Sequence, residues 1–96
     1  MSEIVVTRAH GMTLKKARAS AEHIAAELAE EFDIEYEWTG NTLEFSRTGV
    51  SGSIVVTKKE VEIRARLGFL LMALRSRIES EIHRFLDNEF GPEADS

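Results

Sequence analysis

Between Ile34 and Leu67 the chain alternates apolar and polar residues four times over, and each alternating run ends at a turn-forming residue. Ile34-Glu35-Tyr36-Glu37-Trp38 is followed by Gly40-Asn41, then Leu43-Glu44-Phe45-Ser46 leads to Gly49. Ile54 to Thr57 is joined by Lys58-Lys59 to Val61-Glu62-Ile63-Arg64-Ala65-Arg66-Leu67. A period of two places successive side chains on opposite faces of a strand, so these runs predict two hairpins with one apolar and one wet face. Ile34, Tyr36, Trp38, Leu43, Phe45, Ile54, Val56, Val61, Ile63 and Leu67 are expected inward. Glu35, Glu37, Glu44, Ser46, Glu62, Arg64 and Arg66 are expected outward.

An apolar sheet face needs a cover, and the flanking segments supply it. Glu3 to Arg8 alternates and is rich in β-branched residues, which predicts a strand, and His10-Gly11-Met12 ends it. Thr13 is placed to cap a helix running to about Phe32, with Leu14, Ala17, Ala21, Ile24, Leu28 and Phe32 on one stripe. From Phe69 to Phe90 the spacing again follows 3.6, with Leu70, Leu71, Leu74, Ile78, Ile82, Phe85, Leu86 and Phe90 on a broad face before Gly91-Pro92. The expected architecture is α+β: a two-layer sandwich, its antiparallel sheet covered on one face by two helices, in the order β-α-β-β-β-β-α. At 96 residues the chain forms one domain, 1–96, with residues 92–96 expected as a disordered acidic tail.

The charges on both predicted helices oppose the helix dipole. Lys15, Lys16 and Arg18 open the first and Glu27, Glu30 and Glu31 close it, while Arg75 and Arg77 open the second and Asp87 and Glu89 end it. Antiparallel neighbours would offset this by setting each basic start beside the other's acidic end.

Composition removes several classes of function. A net charge of -5 argues against nucleic acid as a partner, and the absence of cysteine excludes disulfides, thiolate metal sites and a cysteine nucleophile. No basic and apolar leader opens the chain, and its longest apolar run, Leu67 to Leu74, is too short for a membrane span, so a cytoplasmic location is expected.

No motif assembles a catalytic or metal site. The three histidines belong to no paired motif, and Glu79 with His83, or His23 with Glu27, reads as surface pairing along a helix. Gly49-Val50-Ser51-Gly52-Ser53 lacks the lysine of a P-loop and reads as a turn and bulge, with glycine supplying positive φ or close backbone approach. Glu35, Glu37 and Glu44 share a sheet face with Arg64 and Arg66, so cross-strand ion pairs are expected there. No catalytic residue, no metal ligand and no cofactor is expected.

The most unusual stretch is Leu67-Gly68-Phe69-Leu70-Leu71-Met72-Ala73-Leu74, apolar all round for nearly two helical turns. A helix lying on a sheet needs one stripe only. Phe69, Leu70, Leu71 and Met72 are therefore candidates for a partner or surface contact, set against burial by the strand-to-helix connection.

Three stretches together resemble a known family. They are His10-x-Met12-Thr13-Leu14-x-x-Ala17-Arg18; Tyr36-x-Trp38-x-Gly40-x-x-Leu43-x-Phe45-x-Arg47-x-Gly49-Val50-x-Gly52-x-Ile54; and Leu67-Gly68-x-Leu70-Leu71-x-x-Leu74 with Ile78-Glu79-x-x-Ile82. The chain is similar over almost all its length to the small bacterial polyhydroxyalkanoic acid system proteins, also called granule-region proteins. That resemblance implies a cytoplasmic bacterial setting in polyester storage and carries no catalytic residue with it. Two readings stay open. One is a non-enzymatic accessory or regulatory protein that contacts the polyhydroxyalkanoate granule surface or granule proteins through Phe69, Leu70, Leu71 and Met72, with homodimerisation as a further use of the patch. The other is a small helix-grip-like binder holding a hydroxyacyl or fatty-acyl ligand among Trp38, Phe45, Ile63 and Leu74.

Overall fold

The computed structural model describes residues 2–91, so the expected tail lies outside the described residues. Strand β1 (Ser2–Ala9) is followed by helix α1 (Leu14–Phe32), strands β2 (Glu35–Thr39), β3 (Thr42–Arg47), β4 (Val50–Val56) and β5 (Glu60–Leu67), a 3-10 segment (Phe69–Leu74) and helix α2 (Arg75–Phe90). The five strands form one antiparallel sheet in the order β1-β5-β4-β3-β2. Both helices lie on its apolar face, as the alternation predicts, and the architecture is the two-layer α+β sandwich.

The local chemistry explains the boundaries. Thr13 Oγ1 accepts the Lys16 N–H at 3.2 Å and so satisfies one of the free donors at the start of α1. Asp33 ends that helix in the left-handed region, φ 58°, and its N–H donates to the Ala29 carbonyl. Gly40 opens the two-residue loop between Thr39 and Thr42 at φ 62°, which a side chain would resist. Ala17, Ala21 and Ala25 are fully buried, and their small size lets α1 lie close to the sheet. Ile82, Phe85 and Leu86 of α2 join Ile4, Ile54 and Ile63 of the sheet in one buried core.

Three expectations are corrected. The Val50–Ser53 stretch is regular strand rather than turn and bulge, with Gly52 paired directly between Phe45 and Ala65. A Cβ at Gly52 would stand 2.0 Å from the Arg64 carbonyl oxygen and 2.6 Å from Phe45 Cζ, so the glycine is there for close approach of strands. On the wet face Glu35, Glu37 and Glu44 make no ion pair with Arg64 or Arg66 among the described residues. Strand β4 stands between them, with Ser53 opposite both Glu44 and Arg64, and the arginines turn instead to Glu62 at 3.0 Å and to Glu3 at 3.8–3.9 Å. The third correction concerns the start of the last helix and is described with the site.

The helices are neighbours and antiparallel, since His23 meets Glu89 and Glu31 meets Arg84, both at 3.3 Å. The offset of charge is only partly between helices. Asp87 pairs with Arg8 of β1 at 2.8 Å, and the same Arg8 nitrogen donates to the Gly91 carbonyl at 2.9 Å. Arg8 is 3% exposed and fastens the end of α2 to the sheet.

Candidate apolar docking site

The site is built at the exit of β5. Gly68 donates its N–H to the Gly49 carbonyl at 2.8 Å, and Gly49 sits at φ 92°. Side chains at these glycines would crowd the crossing, because a Cβ on Gly49 would touch Leu71 and one on Gly68 would lie 3.3 Å from the Gly49 oxygen. The chain therefore turns sharply off the sheet at Gly68 and enters the 3-10 segment.

Here the 3.6 spacing read from the sequence fails for the first six residues. No residue of the 3-10 segment is buried, and Leu70, expected on the inner stripe, is 77% exposed. A 3-10 turn repeats every three residues, so Leu71 stacks over Leu74 and Phe69 over Met72. Leu71 packs on the core while Phe69 is 84% exposed, and Met72 and Leu74 are 43% and 42% exposed. Leu74, at the N-cap of α2, offers no side-chain acceptor, and the first turn of α2 carries Arg75 and Arg77 and no acid. Nothing in the sequence caps this helix start, and α2 reaches full burial only at Ile82. About six consecutive turns of sequence, Phe69 to Phe90, could have formed one helix, but the tie between Gly68 and Gly49 fixes where the segment begins.

The result is an exposed apolar segment, with Phe69, Leu70 and Met72 outward, Leu74 partly exposed, Leu71 packed on the core, and Arg75 next in the chain. Under the segment lies an apolar cavity of about 100 Å³, lined among others by Leu28, Phe32, Phe45, Leu71, Leu74 and Ile78, with Arg47 as its one charged side chain. Phe45 and Leu74 of the expected ligand pocket meet in this cavity. Trp38 and Ile63 do not line it: Ile63 is fully buried at the centre of the sheet, and Trp38 is at the hairpin end of β2. A broader hollow of about 650 Å³ opens on the wet sheet face over Glu35, Glu37, Glu44, Ser51 and Ser53 and is polar and open.

Residues outside the sequence reading also shape the molecule. Glu22 accepts from Tyr36 Oη at 2.5 Å and from Trp38 Nε1 at 2.8 Å, and Arg18 stacks over the Trp38 ring at 4.5 Å. The hydrogen bond from Tyr36, then that from Trp38, holds the Glu22 carboxyl below its ordinary pKa, and the bond to Glu22 raises that of the Tyr36 phenol. These two aromatics are thus half-buried strand residues tied to α1. Their polar tips announced a need for partners, but separations of 14 and 16 residues hid which acid would serve. His10 is 8% exposed; its Nδ1 faces the Met12 N–H, which leaves Nε2 to donate to the Thr57 carbonyl at 2.8 Å. His23 pairs across helices with Glu89 rather than with Glu27, and Glu79 meets Arg75 rather than His83. No cluster of three or more His, Cys, Asp or Glu side chains placed to hold a metal ion occurs among the described residues.

An α+β sandwich that leaves an uncapped apolar segment exposed on its surface defines the class of domain. The family model of the polyhydroxyalkanoic acid system proteins matches residues 4–90, and the chain belongs to that family. Neither a curated protein nor a solved structure matches it. No helix among the described residues is long and apolar enough to cross a membrane.

Proposed function

We propose that the protein is a non-enzymatic accessory of polyhydroxyalkanoate storage that docks on the apolar surface of the polymer granule in the cytoplasm, with Phe69, Leu70 and Met72 as contacts and Leu71 as their inner support. The observation that carries this reading is the exposure of Phe69 and Leu70, 84% and 77%, on a segment that the fold could have buried. Family membership supplies the setting. The energetics are adequate: returning Phe69, Leu70, Met72 and Leu74 to an apolar medium, scaled by their exposure, is worth roughly 4–7 kcal/mol at about 1.5–3 kcal/mol per large side chain. Arg75 and Arg77, both exposed, keep the rim wet. A fatty-acyl binder is disfavoured by the cavity, whose volume of about 100 Å³ is well under the ~300 Å³ at which drug-sized ligand sites begin.

Co-sedimentation of the purified protein with isolated polyhydroxyalkanoate granules tests this. Wild type should pellet, and Phe69→Glu/Met72→Glu, which removes about half the apolar gain, should partition roughly 30- to 400-fold less while keeping its melting curve. Wild type remaining in the supernatant would overturn the proposal, and concentration-dependent dimerisation lost in the same variant would assign the patch to a second copy instead.

A further inference from the structure

The cavity beneath the 3-10 segment is distinct from the exposed patch and calls for its own occupant. Its lining is almost wholly apolar, so water entering it would find few hydrogen-bond partners. Leu71 and Leu74 roof it, and the roof belongs to a short 3-10 segment whose hydrogen bonding is weaker than that of an α-helix. One charged group stands in the lining. Arg47 Nη1 donates to the carbonyl of Phe32, itself a lining residue, at 2.5 Å, and this contact holds the exposed guanidinium in place. Among the described residues no carboxylate comes within ion-pair range of Arg47. The nearest hollow brings Asp33 and Glu35 into its neighbourhood without pairing them to it. An apolar recess with a fixed, unpaired guanidinium is complementary to a molecule with an alkyl tail and an anionic head.

The volume sets the tail. About 100 Å³, at roughly 30 Å³ per water-sized group, admits about three non-hydrogen atoms, and an apolar cavity of 150 Å³ is known to admit benzene. We infer that this cavity is a binding site for a short-chain monocarboxylate, its tail of three or four carbons beneath Leu71 and Leu74 and its carboxylate on Arg47. The inference is independent of granule docking and concerns the protein free in solution.

Butyrate is the probe, followed by the methyl NMR resonances of Leu71, Leu74 and Ile78 in the full chain. These methyls are expected to shift saturably with butyrate and with pentanoate. Octanoate, whose tail exceeds the cavity, and butyramide, which has the shape without the charge, should each bind at least tenfold more weakly. Arg47→Gln should weaken butyrate about tenfold and abolish its advantage over butyramide. Ala65→Leu, which projects into the cavity, should remove the shifts altogether; if that variant does not fold, the Arg47→Gln comparison decides. Methyls that do not saturate, equal response to butyrate and butyramide, or undiminished binding in folded Ala65→Leu would each overturn the assignment. Granule binding is measured separately, so either reading can fail alone.

Discussion

Gly52→Ala makes the tightest demand on the sheet. The added methyl carbon would stand 2.0 Å from the Arg64 carbonyl oxygen and 2.6 Å from Phe45 Cζ, against ordinary contacts of about 3.5–4.0 Å between carbon atoms. The Phe45 ring could rotate away, but the carbonyl belongs to the backbone of β5. Relief therefore requires β4 to move away from β5 by more than an ångström near the pairs Gly52↔Ala65 and Ser53↔Arg64. Loss of two ladder bonds costs about 1–3 kcal/mol at 0.5–1.5 kcal/mol each, and displacing Phe45, 6% exposed, adds about 1–3 kcal/mol of overpacking. The expected destabilisation is roughly 2–6 kcal/mol. Urea unfolding followed by far-UV circular dichroism should show a lowered midpoint with an unchanged slope, and the melting temperature should fall by roughly 10–50 °C. Gly11→Ala is the control, because a Cβ there has no heavy atom within 4 Å and no positive φ to resist it; it should stay within about 0.5 kcal/mol of wild type. Gly52→Ala with a wild-type midpoint would refute the close approach of these two strands.

Three further outcomes follow from buried and half-buried polar groups. Asp87→Ala leaves Arg8 buried with its carbonyl partner alone, so it should cost about 2–3 kcal/mol, discounted for the half-exposed aspartate; Arg8→Met, which removes the charge itself, should cost within about 1 kcal/mol, and paired urea titrations check the order. Glu22→Gln should lose about 1–2 kcal/mol, since Tyr36 and Trp38 then donate to a neutral acceptor at a partly exposed site. Because the folded Glu22 pKa is lowered, its contribution is present above the unfolded carboxylate pKa and is lost as pH falls through the folded one. Fluorescence of Trp38, the single tryptophan, should follow that acid transition in wild type and not in Glu22→Gln. At the alkaline end the raised Tyr36 pKa reverses the sign, so the same bond is retained below the unfolded phenol pKa and lost as pH rises through the folded one, which absorbance titration of the phenol detects.

How far the sequence spoke depends on whether the controlling interaction is local. Alternation, the Thr13 cap and the Gly40-Asn41 turn act within a few residues, and they placed the hairpins, α1 and the covered face. Gly52 misled because glycine reads equally as a turn and as a close approach between strands, and only the position of Arg64 across the ladder tells them apart. The 3.6 spacing of Leu70, Leu71 and Leu74 misled for a related reason. Periodicity records what a helix could bury, whereas the hydrogen bond between Gly68 and Gly49, 19 residues apart by number, determines what it does bury. Arg8 and Glu22 were silent in the sequence because their partners lie 79 and 14–16 residues away. The apolar excess from Phe69 to Met72 was visible as composition. Its division into three outer residues, Phe69, Leu70 and Met72, and an inner leucine was not, since that follows from the threefold repeat of the 3-10 turn.

The chain contains no cysteine, so a single thiol can be placed wherever contact is to be read. Leu70→Cys carrying an environment-sensitive fluorophore, measured with and without polyhydroxyalkanoate granules, addresses the docking face directly, with Glu37→Cys on the wet sheet face carrying the same label as reference. A blue-shifted, brighter emission at position 70 and an unchanged emission at position 37 is the predicted result. No change at position 70, or the same change at both positions, would contradict docking through the 3-10 segment.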